Sequence, residues 1–283
     1  MAPQRQGRSD PNPERRSRLT ERDLWILESV DKMRLLTTSQ LAQLHFDGSR
    51  SATNKRLRKL LDAGFVRSWV RDLAEDNVYS LDRKGLGVLD DPDREMNHTV
   101  PRGLDGNLDH LLAINQVRIS MALGLPGVGG EIAWWRSDWE LRSSFRERIV
   151  PDALFAIRWE SGEQAFALEI DNCTRSTRTF LRKVIAYRAQ KSLSQPLYGL
   201  REFLILVVGR DEQWLERYRL AIAHARLGSR IWFTSLSDLT TTGALGEIWR
   251  GANEHEKYSL RTVALLPYGK EGPEAEDVIE TRA

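Results

Sequence analysis

The chain has 283 residues, 41% of them hydrophobic and 29% charged, the balance of an ordinary globular protein of about two domains. Its 42 lysines and arginines against 40 aspartates and glutamates leave a net charge of only +2, so nucleic-acid binding has to be sought in local clusters rather than in the whole-chain charge. The single cysteine, Cys173, excludes an intrachain disulfide and fits a reducing, cytoplasmic setting. No apolar run approaches the roughly 20 residues that a membrane helix needs, so no membrane partner is expected.

Residues 1–18 are polar, carry Arg5, Arg8, Arg15, Arg16 and Arg18, and lack the apolar core of a secretory signal. They are expected to be a disordered basic arm, either a solvated tail or a flexible contact to DNA phosphate or minor groove. Residues 19–90 form the first expected domain. Thr20 and Asp23 resemble a capping box with Asp in place of Glu, and Leu24, Ile26, Leu27, Val30 and Met33 give a helix ending near Arg34. Thr38 is expected to cap a short second helix, and Asp47-Gly48 marks a turn. Ser49 caps a third helix, Arg50 to Ala63, which Gly64 closes. Phe65 to Val70 and Asn77 to Leu81 alternate as two strands around a polar loop, and Asp82 to Leu89 is a closing helical turn.

Helix, helix, turn, helix and hairpin is the order of a winged helix-turn-helix. Its third helix buries Leu57, Leu60 and Leu61 and carries Arg50, Ser51, Asn54, Lys55 and Arg58 largely on the other side. Such a face either reads double-stranded DNA or is a solvated face of a protein-interaction module. As a reader, its cations bind phosphates, with Arg50, Asn54 or Lys55 in reach of base edges. The hairpin loop carries Asp72, Glu75 and Asp76 and is a poor phosphate binder.

Residues 91–104, rich in Asp, Pro, Asn and Gly, read as a linker, with His98 a solvated residue of it. Residues 105–268 form the second expected domain and 269–283 an acidic disordered tail. Leu104 to Leu123 has helical spacing, interrupted by Asp109 and His110. Trp134 to Arg142 reads as a first strand, its tryptophans either packing in the core or stacking on unpaired bases. Val150 to Trp159 and Gln164 to Asp171 are the second and third strands, Ser176 to Gln190 a helix, and Glu202 to Gly209 a buried parallel strand. A helix over Glu212 to Arg226, a strand over Ile231 to Thr234, a helix from Leu236 to near Arg250 and an edge strand over Tyr258 to Leu266 complete an α/β domain with a mixed sheet. A dinucleotide-binding fold is excluded by the lack of a glycine-rich loop after the first strand, and no zinc pattern is present.

Within this domain, Glu169 and Asp171 share one face of the third strand, and pairing with the preceding strand brings Asp152 to the same edge. Three carboxylates on apolar strands repel one another and cost desolvation unless a cation or a proton settles the charge. A hard divalent ion, Mg2+ or Mn2+, held by Asp152, Glu169 and Asp171 is the expected solution. Lys183 and Tyr187, one turn apart on the following helix, lie near the same site. Cys173 is a small packing residue.

Pro151-Asp152, a strand, and then Glu169-x-Asp171 resemble the PD-(D/E)XK nuclease signature, with Asp171 where that signature has lysine. Together with Lys183, Tyr187 and the amino-terminal module, the chain resembles the replication-relaxation family over roughly Leu19 to Gly209. The resemblance implies a restriction-endonuclease-like core and a role in bacterial plasmid or mobile-element replication and mobilisation. It further implies metal-dependent DNA cleavage, with Asp152 and Glu169 as ligands, Asp171 binding metal or orienting water, and Lys183 replacing the missing strand lysine. Arg175 and Arg178 compete with Lys183 for that role, and Asp109 is either the carboxylate that the first helix would lend or a solvent-facing residue. The alternative is a structural acidic cluster in a non-enzymatic regulator, whose α/β domain serves homodimerisation or partner binding.

Overall fold

The computed structural model describes residues 19–70, 75–89, 107–144, 149–172, 176–189, 197–200, 202–228 and 230–265. The expected basic arm, the linker with His98, the loop residues 71–74, Cys173, Arg175 and the acidic tail lie outside the described residues. The chain divides into two compact units, Met1–Gly106 and Asn107–Ala283.

In the first unit, helix α1 (Glu21–Met33) buries Ile26, Leu27, Val30 and Met33. Its start is fixed as the sequence predicts, by the Asp23 carboxylate accepting the Thr20 N–H at 2.6 Å. A two-residue strand, β1 (Leu36–Thr37), follows, then α2 (Thr38–His45). The cap of α2 is Thr37 rather than Thr38: its Oγ1 accepts the Gln40 N–H and the Gln40 side chain returns the contact, both at 3.1 Å. Helix α3 (Arg50–Asp62) starts at Ser49 and buries Thr53, Leu57 and Leu60. Gly64 turns the chain at φ +76°, a conformation that favours glycine. Strands β2 (Val66–Trp69) and β3 (Val78–Leu81) pair antiparallel, with β1 on the far side of β3, and α4 (Arg83–Leu86) closes the unit.

The second unit is built on one six-stranded mixed sheet. Helix α5 (Leu108–Gly124) leads to β4 (Gly130–Ser137), α6 (Asp138–Ser144), β5 (Ala153–Trp159), β6 (Gly162–Asp171) and α7 (Thr177–Ala189). Strand β7 (Leu204–Gly209), α8 (Glu212–His224), β8 (Ile231–Ser235), α9 (Leu236–Thr242), β9 (Arg250–Gly251) and α10 (Leu260–Leu265) follow. The spatial order of the strands is the chain order, β4 to β9. Strands β4, β5 and β6 run antiparallel, β6, β7 and β8 parallel, and β9 antiparallel to β8. One sheet face packs Phe155, Phe166 and Leu168 against Val117 and Met121 of α5, Leu239 of α9 and Leu260 of α10. The other packs Ala167, Val207 and Phe233 against Phe180 and Val184 of α7 and Tyr218 of α8. Phe155 and Phe166 are fully buried, and each contributes roughly 1.5–3 kcal/mol relative to exposure.

Several expectations are corrected. The strand predicted over Trp134 to Arg142 stops at Ser137, because the Glu140 carboxylate accepts the Ser137 N–H at 2.7 Å and opens α6. The helix after Leu236 ends at Thr242 rather than near Arg250, and residues 250–251 join the sheet. The edge strand expected over Tyr258 to Leu266 does not form over its described residues, 258–265: Tyr258 makes one isolated bridge to Trp249, and Ser259 accepts the Thr262 N–H at the start of α10. Residues Leu108–Val128 do reach the length and apolarity of a membrane span, with 21 residues and mean hydropathy 1.3. Their Val117, Met121 and Leu125 are consumed by the sheet core.

Candidate functional site

The acidic cluster follows from the register of β5 against β6. Ala153 pairs with Leu168, so one step further Asp152 stands beside Glu169. Two contacts hold it there: the Asp152 N–H donates to the Leu168 carbonyl at 3.0 Å, and the Ile170 N–H donates to Asp152 Oδ2 at 2.7 Å. The other oxygen, Oδ1, lies 3.0 Å from Nε2 of His110 on α5. Glu169 points to the α7 side. Lys183 Nζ donates to its Oε2 and the Tyr187 hydroxyl to its Oε1, both at 2.5 Å. The one-turn spacing of Lys183 and Tyr187 thus places both donors on one carboxylate, as the sequence suggests. Asp171 is buried two residues further along β6, at 5% exposure against 8% for Asp152 and 3% for Glu169.

Among the described residues, no group of three or more His, Cys, Asp or Glu side chains is placed to hold a metal ion. Each oxygen of Asp152 and Glu169 meets one group of this chain, an imidazole, a backbone amide, an ammonium or a phenol, which leaves each a second lone pair. Arg178 is exposed on α7, and Lys183 takes the place beside Glu169.

The second feature is the basic helix. Ser51, Asn54, Lys55 and Arg58 are exposed on α3 and recur at a one-turn spacing. Arg50 is exposed as well, and its guanidinium is ion-paired to Asp76 and donates to Ser39 Oγ at 2.5 Å. Arg56 is likewise engaged, donating twice to the fully buried carboxylate of Asp23.

The model of the replication-relaxation family matches residues 27–202, more than half of the chain. The chain belongs to the replication-relaxation family. No curated protein and no solved structure shows significant similarity to it. The matched span of this replication-relaxation chain contains both α3 and the cluster of Asp152, Glu169, Asp171, Lys183 and Tyr187, and it stops just before β7.

Electrostatics separates the two adjacent acids. Burial pushes the Glu169 carboxyl up, the charge of Asp152 adds to it, and Lys183 and Tyr187 offset only part, leaving it at about 7. Burial also pushes Asp152 up, but the hydrogen bond and charge of His110, the charge of Lys183 and the Ile170 amide outweigh it and hold Asp152 below its ordinary value. Tyr187 is held well above its ordinary value by burial and then by Glu169, so it stays a donor. The pair therefore splits into an ionised Asp152 and a Glu169 that titrates near neutrality.

His110 is the member that sequence reasoning missed. Asp109, the candidate helix carboxylate, pairs with Arg210 at 3.7 Å with more than a third of its side chain exposed, in line with the solvent-facing alternative. Both polar residues open an otherwise apolar helix, and only the packing of α5 on the sheet decides which of them reaches Asp152. Trp135 stacks on Phe155 with ring centroids 4.6 Å apart, which assigns it to the sheet core.

Proposed function

We propose that this chain is a DNA-binding protein of plasmid or mobile-element replication or mobilisation. Its first unit is a winged helix-turn-helix that reads double-stranded DNA. Its second is a restriction-endonuclease-like domain that grips DNA or a partner, a second copy of the chain included, without cutting it. The observation that carries this reading is the outer face of α3. Ser51, Asn54, Lys55 and Arg58 are exposed there with no acid between Arg50 and Leu61, while Arg50 and Arg56 are already paired with Asp76 and Asp23. Lysine and arginine on such a face neutralise phosphates, and asparagine and serine hydrogen-bond base edges or sugar-phosphate. The non-cleaving part rests on the groups that already meet Asp152 and Glu169, His110 on the first and Lys183 and Tyr187 on the second, which offset the charge a divalent ion would otherwise settle.

A second reading, metal-dependent nicking, is favoured by one observation, the side-by-side placement of Asp152 and Glu169 with Lys183 on the latter. The experiment that decides is incubation with supercoiled plasmid and Mg2+ or Mn2+, beside Asp152→Ala and Glu169→Ala. Retained DNA binding without nicking is the expected result. Nicking by the unaltered protein that both substitutions abolish establishes the enzyme instead.

A further inference from the structure

The geometry points to Asp76 as a positioning residue that sets where α3 meets DNA, with Arg50 its partner rather than a DNA ligand. The inference rests on the reading of α3 as the DNA-contacting helix. Asp76 stands just before β3, and its two carboxylate oxygens serve two different helices. Oδ2 accepts the Ser39 N–H at 3.0 Å, one of the first-turn amides of α2 that lack an intrahelical partner. Oδ1 takes the guanidinium of Arg50, the first residue of α3. Arg50 closes the ring by donating to Ser39 Oγ, and the neighbouring Asn77 carbonyl accepts the Thr38 N–H at 3.0 Å. One short stretch of chain at the end of the hairpin thus pins the amino-terminal ends of both helices.

That end matters because the first residues of a recognition helix approach the base edges, and a small change in its tilt is felt there first. Asp76 is 17% exposed and Arg50 58% exposed, so the acid is built into the unit while its partner lies at the surface. A pair with so exposed a cation contributes little to global stability. Loss of the pair is therefore expected to show in binding more than in folding. The carboxylate that disqualifies this loop as a phosphate binder is put to work aligning the helix that does bind.

The test is fluorescence anisotropy of the full chain on a mixed-sequence DNA duplex across a range of salt, with circular dichroism to verify folding. Asp76→Asn and Arg50→Ala are each expected to weaken binding about tenfold, the scale of one charge-assisted hydrogen bond. The salt slope stays unchanged, and the double variant binds no more weakly than either single one. Arg50→Lys restores affinity over Arg50→Ala only where Asp76 is present. Unchanged or tightened binding by Asp76→Asn overturns the proposal. So does a salt slope lowered by about one in Arg50→Ala, which would make Arg50 a phosphate ligand, and so does a rescue by lysine that persists in Asp76→Asn. If Lys55→Ala with Arg58→Ala leaves both affinity and slope untouched, the reading of α3 itself fails, a result separable from the others.

Discussion

Both units set buried acids against basic partners from distant parts of the chain, yet the acids behave in opposite ways. Asp23 in the first unit is fully buried and its burial pushes its carboxyl up, but two hydrogen bonds from Arg56 and those from Thr20 bring it below its ordinary value. Glu169 in the second unit also has two donors, yet it rises to about 7. Burial is the largest cause of that rise, and the charge of Asp152 on the adjoining strand adds to it, so Lys183 and Tyr187 offset only part. At Asp23 the doubly donating guanidinium of Arg56 and the contacts of Thr20 outweigh burial, and no second acid among the described residues adds to it.

The sharpest way to break this comparison is to remove Lys183. Lys183→Ala leaves the buried Glu169 beside an ionised Asp152 without its cation and is expected to cost about 4 kcal/mol of unfolding free energy at pH 8, measured by urea denaturation. At pH 5 the loss should be smaller, because Glu169 already carries a proton there; an equal loss at both pH values would contradict the elevated Glu169. Glu169 itself gives the next largest effect. Its folded value is raised from 4.5 to about 7, so its contribution is fully present below pH 4.5 and is lost as pH rises through about 7, a swing of about 3 kcal/mol. Glu169→Gln should remove that swing and leave a flatter stability profile over this window, readable from urea midpoints at successive pH values.

Arg56→Ala sharpens the other side of the comparison. It strands the buried Asp23 and is expected to cost about 2 kcal/mol at neutral pH. Because the Asp23 value is depressed, its contribution is present above the unfolded value of 3.8 and fades as pH falls through the lower folded value. The penalty of Arg56→Ala should shrink in acid, whereas the Glu169 contribution grows there. The smallest effect on stability is expected on the exposed face of α3. Lys55→Ala and Arg58→Ala should each change unfolding free energy by less than about 0.5 kcal/mol. Each should nevertheless lower the salt slope of duplex binding by about one.

Local chemistry made much of this architecture readable in advance. Helices α1 to α3 follow from apolar spacing and from caps at Thr20 and Ser49, and the turn at Gly64 from the need for positive φ. Strands β5 and β6 and the shared face of Lys183 and Tyr187 follow from periods of two and of about 3.6 residues. Two short helices escaped although their signals were in the sequence. Ser137 to Glu140 has the spacing of a capping box, and Ser259 precedes Thr262 in the same way, but apolar residues on both sides imitate strands.

What the sequence determined by itself is what neighbours three or four residues apart, or two along a strand, can settle: the element types, the mixed sheet, and the acidic residues at one edge of it. What only the tertiary structure decided is which charges meet. That Asp76 answers Arg50, that His110 rather than Asp109 reaches Asp152, and that Lys183 and Tyr187 occupy the oxygens of Glu169 all depend on contacts spanning 14 to 42 residues. Coulomb and hydrogen-bond energies act over a few ångströms of space, and the folded packing, not distance along the chain, sets that separation.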